Sequence, residues 1–528
     1  MTAFLIANMA PLMFTALVVF LLTGFPVAFS LAANGIFFGL LGIELGLLSP
    51  SLLQALPERL FGIMNNDTLM AVPFFTFMGL ILERSGLAEE LLETIGQLFG
   101  PIRGGLAYAV IFVGALLAAT TGVVAASVIS MGLISLPIMM RYGYDHRLAT
   151  GAIAASGTLA QIIPPSLVLI IMADQLGRSV GDMYEGAVVP GLLIAGLYVV
   201  YVFAVTIVKP AAAPALPLEA RTVHGAALLL RAVTAMLPPL LLIFLVLGTI
   251  FLGIATPTEA GAMGGTGALT LALIKRRLSW KLLRQAMDAT AKLTTFVVFI
   301  LVGARVFSLT FYGVNGHVWV EHLLTGLPGG QVGFLIVVNI LVFLLAFFLD
   351  FFELSFIIVP LLAPVAQKLG IDLVWFGVLL AVNMQTSFMH PPFGFALFYL
   401  RSVAPPAVKT SEIYWGAIPF VIIQMFMVAL IIIFPGIVSF DDGRLRDPSG
   451  KTIDTPPPDL LFAPRDQGHT SPPRPPSLSP SPAATPMDQG GLAPAPAMDR
   501  LQPERPAAVP AADAMDDRLP LAPSSERR

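Results

Sequence analysis

Thirteen runs of apolar residues, separated by short polar stretches, dominate the first 440 residues of this chain and point to a bilayer as the solvent it folds in. They lie at 9–23, 27–46, 69–82, 106–140, 149–174, 186–208, 228–252, 260–274, 294–312, 332–351, 355–366, 376–400 and 418–434. A helix crossing the hydrocarbon layer needs about 20 mostly apolar residues. Several runs are too long for one crossing and several too short, so the pattern predicts about eleven spans together with broken or re-entrant pieces. Charged residues make up 12% of the chain, about half the share in an ordinary soluble domain. The shortage is sharper in the body: residues 1–440 hold 19 basic and 19 acidic side chains, the rest lying in 441–528. The expected fold class is an all-α polytopic membrane protein.

Composition also sets the organisation and removes several functions. Residues 209–225, with their Pro-Ala repeats, read as a linker between a first half at 1–208 and a second at 226–440. Beyond residue 440, 19 of the 44 prolines fall among 88 residues that contain no Trp or Tyr. Such a segment buries too little apolar area to offset ordering entropy, so 441–528 is expected to be a disordered Pro-rich tail. Residues 87–99 and 279–293 carry charge at helical spacing and read as interfacial amphipathic helices. The basic cluster Lys275, Arg276, Arg277, Lys281 and Arg284 is expected on the cytoplasmic side. A net charge of −3 offers no footprint for nucleic acid. With no cysteine, disulfides and thiolate metal sites are excluded. There is no pair of histidines four residues apart and no nucleotide-binding glycine loop, so the chain reads as a non-enzyme that ATP does not drive directly.

A weak duplication carries the most information. Pro137 is followed 8 residues later by Asp145 and 27 later by Pro164-Pro165; Pro364 is followed 8 later by Asp372 and 27 later by Pro391-Pro392. The offset is 227 throughout, and Gly104-Gly105 and Gly329-Gly330 repeat at 225. Paired halves with Gly/Pro-interrupted apolar segments at matching places point to a transporter's central binding site.

The residues at the interruptions suit that reading. Thr120, Thr121 and Gly122 mark one; Ser156, Gly157, Thr158, Pro164, Pro165 and Ser166 mark the next. Proline in a helix removes a donor and clashes with the preceding turn. Backbone freed at membrane depth is tolerated only where it is buried in protein or lines a cavity. Released carbonyls and hydroxyls can hold a hard cation, and half-helix N-termini attract an anion. In the second half, Asn383, Gln385, Thr386 and Ser387 precede Pro391-Pro392, a polar run inside apolar sequence that needs partners. Under the 227 offset, Asn383 corresponds to Ser156 and Gln385 to Thr158. His390 in the same run is expected to be structural. Asp350 and Glu353 sit either at membrane depth, where ionisable groups are functional by default, or at an interfacial hairpin end; both readings stay open. Arg305 is either their partner, a direct anion contact or a snorkelling side chain, and Glu259 starts a helix capped by Thr256 or Thr258.

The stretches AVPFFTFMGLILERSGLAEEL, GPIRGGLAYAVIFVGALLAATTG, GTLAQIIPPS, TPTEAGAMG, FLDFFELSFIIVPLLAPVAQKLGID and NMQTSFMHPPFGFALFYL together resemble the large permease subunit of tripartite ATP-independent periplasmic (TRAP) transporters. The resemblance runs from the first apolar segment to about residue 434. It implies a sodium-coupled, elevator-type importer of organic anions in a bacterial inner membrane, with two re-entrant helical hairpins and an inverted repeat. It implies two partners, a small membrane subunit and a periplasmic substrate-binding protein, and no cofactor besides the coupling ion. By motif, Thr120, Thr121 and Gly122 fall at the first hairpin tip, and Ser156, Gly157, Thr158, Pro164, Pro165 and Ser166 at the adjoining broken helix. Asp350 falls at the second hairpin, with Asn383, Gln385, Thr386, Ser387, Pro391 and Pro392 at its broken helix. Sodium is then expected near Thr121, Gly122, Ser156 and Thr158, and again near Asp350, Gln385 and Thr386. The chain departs from the family where it has Thr120-Thr121-Gly122 in place of a common Ser-Gly-Ser, and His390 in place of a common threonine. A stand-alone ion-coupled carboxylate symporter with the same broken-helix logic is the alternative.

Overall fold

Polar caps set where the helices begin. The Asp145 side chain accepts from the backbone N–H groups of Arg147 and Leu148, and Asp372 accepts from Trp375, satisfying donors that a helix start leaves free. Thr256 and Glu259 form a reciprocal capping box, while the Thr258 hydroxyl instead donates to the Asp67 carbonyl. The computed structural model describes residues 2–438 apart from Gly122, Val123, Thr222, His224, Pro392 and Phe393, with the side chains of Ala88, Thr120 and Thr121 also left out. The expected tail at 441–528 lies outside the described residues.

Among the described residues every regular element is helical. Six helices are long and apolar enough to cross a bilayer, or nine when each of three sharply bent pairs counts as one span. About eleven were expected. The difference comes largely from segments that breaks divide into pieces too short to cross alone, such as Leu167–Leu176 and Leu373–Met384. The chain is a multi-pass membrane protein.

One group of helices, Val27–Glu44, Asp67–Arg84, Gly225–Phe251, Pro257–Ile274 and Trp280–Gly313, packs together. Trp280–Gly313 runs 34 residues without interruption, about 50 Å of helix. The amphipathic piece expected at 279–293 is therefore the beginning of the following span: no Gly or Pro interrupts the sequence between Trp280 and Val302. Leu87–Phe99, by contrast, is a separate amphipathic helix that buries Leu87, Leu91, Leu92 and Ile95 and exposes Glu89 and Glu93.

A second group holds the interruptions. A first hairpin, Gly105–Thr121 and Val124–Arg141, leads into the broken helix His146–Thr158 and Leu167–Leu176. A second, Gly330–Leu345 with Phe351–Ile357 and Val359–Lys368, leads into Leu373–Met384 and Phe395–Val403. Helices from the two sequence halves interleave: Asp67–Arg84 lies along Pro257–Ile274, and His146–Thr158 along Thr410–Ile433. The linker at 209–225 is pinned across the base of the first hairpin. Gly104 N–H donates to the Ala213 carbonyl and Asp145 N–H to that of Ala212, both at 2.9 Å.

Small residues let these helices touch backbone to backbone, the packing that membranes favour. A Cβ at Gly151 would stand 2.1 Å from the Gly416 carbonyl oxygen, and one at Gly416 2.2 Å from that of Arg147. Gly151→Ala is expected to destabilise the detergent-solubilised protein by about 1–3 kcal/mol through overpacking. Gly196→Ala, where nothing lies within 4 Å, is the control and should hold or raise the unfolding temperature. Equal unfolding temperatures for the two variants would contradict the crossing.

Candidate functional site

Both Pro-Pro positions interrupt a helix. After Thr158 the first tightens into a 3-10 turn, Leu159–Gln161, then opens through Pro164-Pro165, whose peptide bond is cis, and resumes at Leu167. Ser166 caps the resumed half, accepting from Val168 and Leu169 while its hydroxyl donates to the Gln161 carbonyl at 2.6 Å. The second helix tightens over Gln385–Phe388 and resumes at Phe395. Pro164 and Pro165 are buried and Pro391 is half-buried; Pro392 lies outside the described residues.

The two interruptions meet. Gln385 Nε2 donates to Thr158 Oγ1 at 3.1 Å, joining residues 227 apart in sequence. The Ser156, Thr158 and Thr386 hydroxyls each donate to a carbonyl three or four residues back in their own segment, so each oxygen is turned to act as an acceptor, as Thr158 does toward Gln385. Asn383 Nδ2 donates to both the backbone carbonyl and the side-chain oxygen of Asn339 on Gly330–Leu345, at 2.8 and 2.9 Å. Ser156 and Gly157 lie against the first hairpin: a Cβ at Gly114 would meet the Ser156 Cβ at 2.5 Å, and one at Gly157 would meet Val128 at 2.3 Å. Several buried acceptors have no donor: Gln385 Oε1, Asn383 Oδ1 and Gln161 Oε1. The Ser387 hydroxyl is buried without a partner as well. Neutral hard oxygens of this kind suit an alkali cation better than bond-making chemistry.

Beside the interruptions opens a cavity of about 450 Å³. Its lining includes Val124 and Ala125 from the first hairpin, Gln161 from the first break, Phe388 from the second, and Asp350 and Glu353 from the second hairpin. Those two carboxylates form a capping box on Phe351–Ile357. Glu353 N–H donates to Asp350 at 2.9 Å and Asp350 N–H donates to Glu353 at 3.0 Å. The pair starts a helix of the second hairpin and lines the cavity. Among the described residues Arg305 neither lines the cavity nor forms an ion pair with Asp350 or Glu353. His390 stacks on Phe347 at 4.2 Å and meets Phe343 edge-on at 4.4 Å between ring centroids, a packing role. Thr120 and Thr121 end the first helix of their hairpin; their side chains and Gly122 lie outside the description.

Sequence reasoning missed Asn339, Gln161 and the buried pair Gln424–Tyr198, whose Nε2 to hydroxyl distance is 2.9 Å. Each is a lone polar residue within an apolar run, and that isolation was the available signal.

The comparisons decide the family. The description "Tripartite ATP-independent periplasmic transporter, DctM component" matches residues 14–437. The chain belongs to this family. It is 31% identical over 396 residues to the C4-dicarboxylate TRAP transporter large permease protein DctM of Pseudomonas aeruginosa, covering 74% of this chain and 90% of that one. It is 29% identical over 444 residues to the ectoine/5-hydroxyectoine TRAP transporter large permease protein UehC of Ruegeria pomeroyi, covering 83% and 99%. The crystal structure of the Alcanivorax borkumensis YdaH transporter has a similar fold, with a TM-score of 0.54, 17% identity, and coverage of 74% of this chain and 90% of that one.

In this TRAP permease the Gln385–Thr158 bond should couple the two breaks energetically. A double-mutant cycle of Thr158→Val and Gln385→Leu, read by unfolding in detergent, is expected to show about 0.5–1.5 kcal/mol of non-additivity. Strict additivity would mean that the two breaks are held together by other contacts.

Proposed function

We propose that this TRAP permease imports an organic acid anion, a carboxylate of the 2-oxo or hydroxy acid kind, across a bacterial inner membrane, driven by sodium. The single observation that carries the reading is the meeting of two interrupted helices through Gln385 and Thr158, beside donorless oxygens and a cavity. Sodium would sit among neutral oxygens at Ser156, Thr158, Gln385 and Thr386, with Asp350 supplying charge at the second hairpin. The tips at Thr121 and Gly122 would complete the first ion site. The matching placement of Asp145 and Asp372, and of both Pro-Pro breaks, supports a duplicated and inverted architecture in which the hairpins move together as an elevator. Family membership supports two partners, a small membrane subunit and a periplasmic substrate-binding protein that delivers the solute.

Uptake into proteoliposomes containing both membrane subunits and the binding protein tests this directly. Collapsing the sodium gradient should abolish accumulation; uptake that persists unchanged refutes the coupling. Uptake by the large subunit alone would support the stand-alone symporter instead. Gln385→Ala is expected to lower the uptake rate about tenfold, equivalent to about 1.4 kcal/mol, with membrane insertion unaltered. Normal kinetics in that variant would count against the site.

A further inference from the structure

Six of the thirteen described residues lining the cavity are aromatic. Phe296 and Phe352 meet edge-to-face with centroids 5.9 Å apart, and Phe352 leans on Phe351 at 4.3 Å. Phe388 and Phe395 form another pair at 6.2 Å, with Tyr399 in the same lining. These rings come from the long helix Trp280–Gly313, the second hairpin, the second break and the helix after it. Among the described residues no Lys, Arg or His lines the cavity. The charged groups present are the carboxylates of Asp350 and Glu353.

This lining discriminates between classes of acid. A carboxylate removed from water needs a cation or several donors to replace its hydration. Ring faces carry the negative side of the aromatic quadrupole, and the carboxyls of Asp350 and Glu353 bring no positive charge to offset it. A coupling cation held beside Asp350 can compensate one solute carboxylate. A second carboxylate, at the far end of a four-carbon chain, would face rings with nothing to pair with it. An apolar body in that place gains contact instead.

We propose that this cavity selects a monocarboxylate with an apolar body, an aryl or branched alkyl group, over a C4-dicarboxylate. The inference rests on the transport reading above and adds the solute class.

The test is binding to the full chain in detergent, measured by calorimetry with phenylacetate, 4-methyl-2-oxopentanoate and succinate in sodium chloride and in choline chloride. Omitting the binding protein keeps its own preference out of the measurement. Both monocarboxylates should bind in sodium at least about tenfold more tightly than succinate. Leu293→Arg, which places a cation at the cavity wall, should narrow or reverse that ratio. Succinate binding to the unmodified chain as tightly as the monocarboxylates overturns the solute class and leaves the transport reading intact. Binding by none of the three also overturns the class; sodium-driven uptake in proteoliposomes then decides the transport reading separately, and its absence would remove both.

Discussion

A peptide group released from its helix inside hydrocarbon has no water to turn to, and the architecture of this protein follows from finding it another partner. Two apolar segments are broken at Pro-Pro, and each break is lined by neighbours. The first half-helix ends in a tightened turn, the resumed half is capped by Ser166, and the side chain of Gln385 crosses to Thr158. Neither break could stand against lipid alone. Placed side by side they share the Gln385–Thr158 bond, and the acceptors on Gln385, Asn383 and Gln161 remain without donors.

Bringing the breaks together demands close helix approach, and glycine supplies it at several crossings. Gly114 admits Ser156, Gly157 admits Val128, and Gly151 admits the backbone of Gly416. The two groups of helices meet differently. Asp67–Arg84 touches the first hairpin and the resumed half-helix mainly through apolar side chains, with polar links near its two ends: Asn66 to Asp174 at 2.5 Å and Ser130 to Glu83 at 2.7 Å.

How much of this was legible beforehand depended on whether the signal was local. One helix cap was readable, Thr256, while Asp145 and Asp372, noted in the sequence only as markers of the repeat, also cap helices. The breaks were readable only in part: proline disfavours a continuous helix, yet Pro238 and Pro239 lie inside the unbroken helix Gly225–Phe251, so the neighbouring small and polar residues were needed as well. Span boundaries were less so, since an apolar run does not reveal whether the charged stretch before it joins the same helix, as 279–293 does in Trp280–Gly313. Pairing across the molecule was hardest. The 227-residue offset aligned Gln385 with Thr158 without showing that they touch, and nothing in the sequence tied Asn339 to Asn383 or Tyr198 to Gln424. Those contacts depend on tertiary placement, where a lone polar residue can equally face its own helix backbone.

The charge pattern of the cavity bears on how one scaffold serves different solutes. The oxygens at the breaks are neutral and belong to the segments that create the breaks, so altering them disturbs the fold as well as the site. The cavity wall is under no such constraint: Phe296 and Leu293 sit on a continuous helix, and Phe395 and Tyr399 on the helix after a break. These positions can change size or charge without removing a cap or opening a helix. The oxygens at the breaks and the variable wall thus belong to different residues around one cavity, with Asp350 and Glu353 at the junction, where a single capping box both starts a helix and lines the cavity.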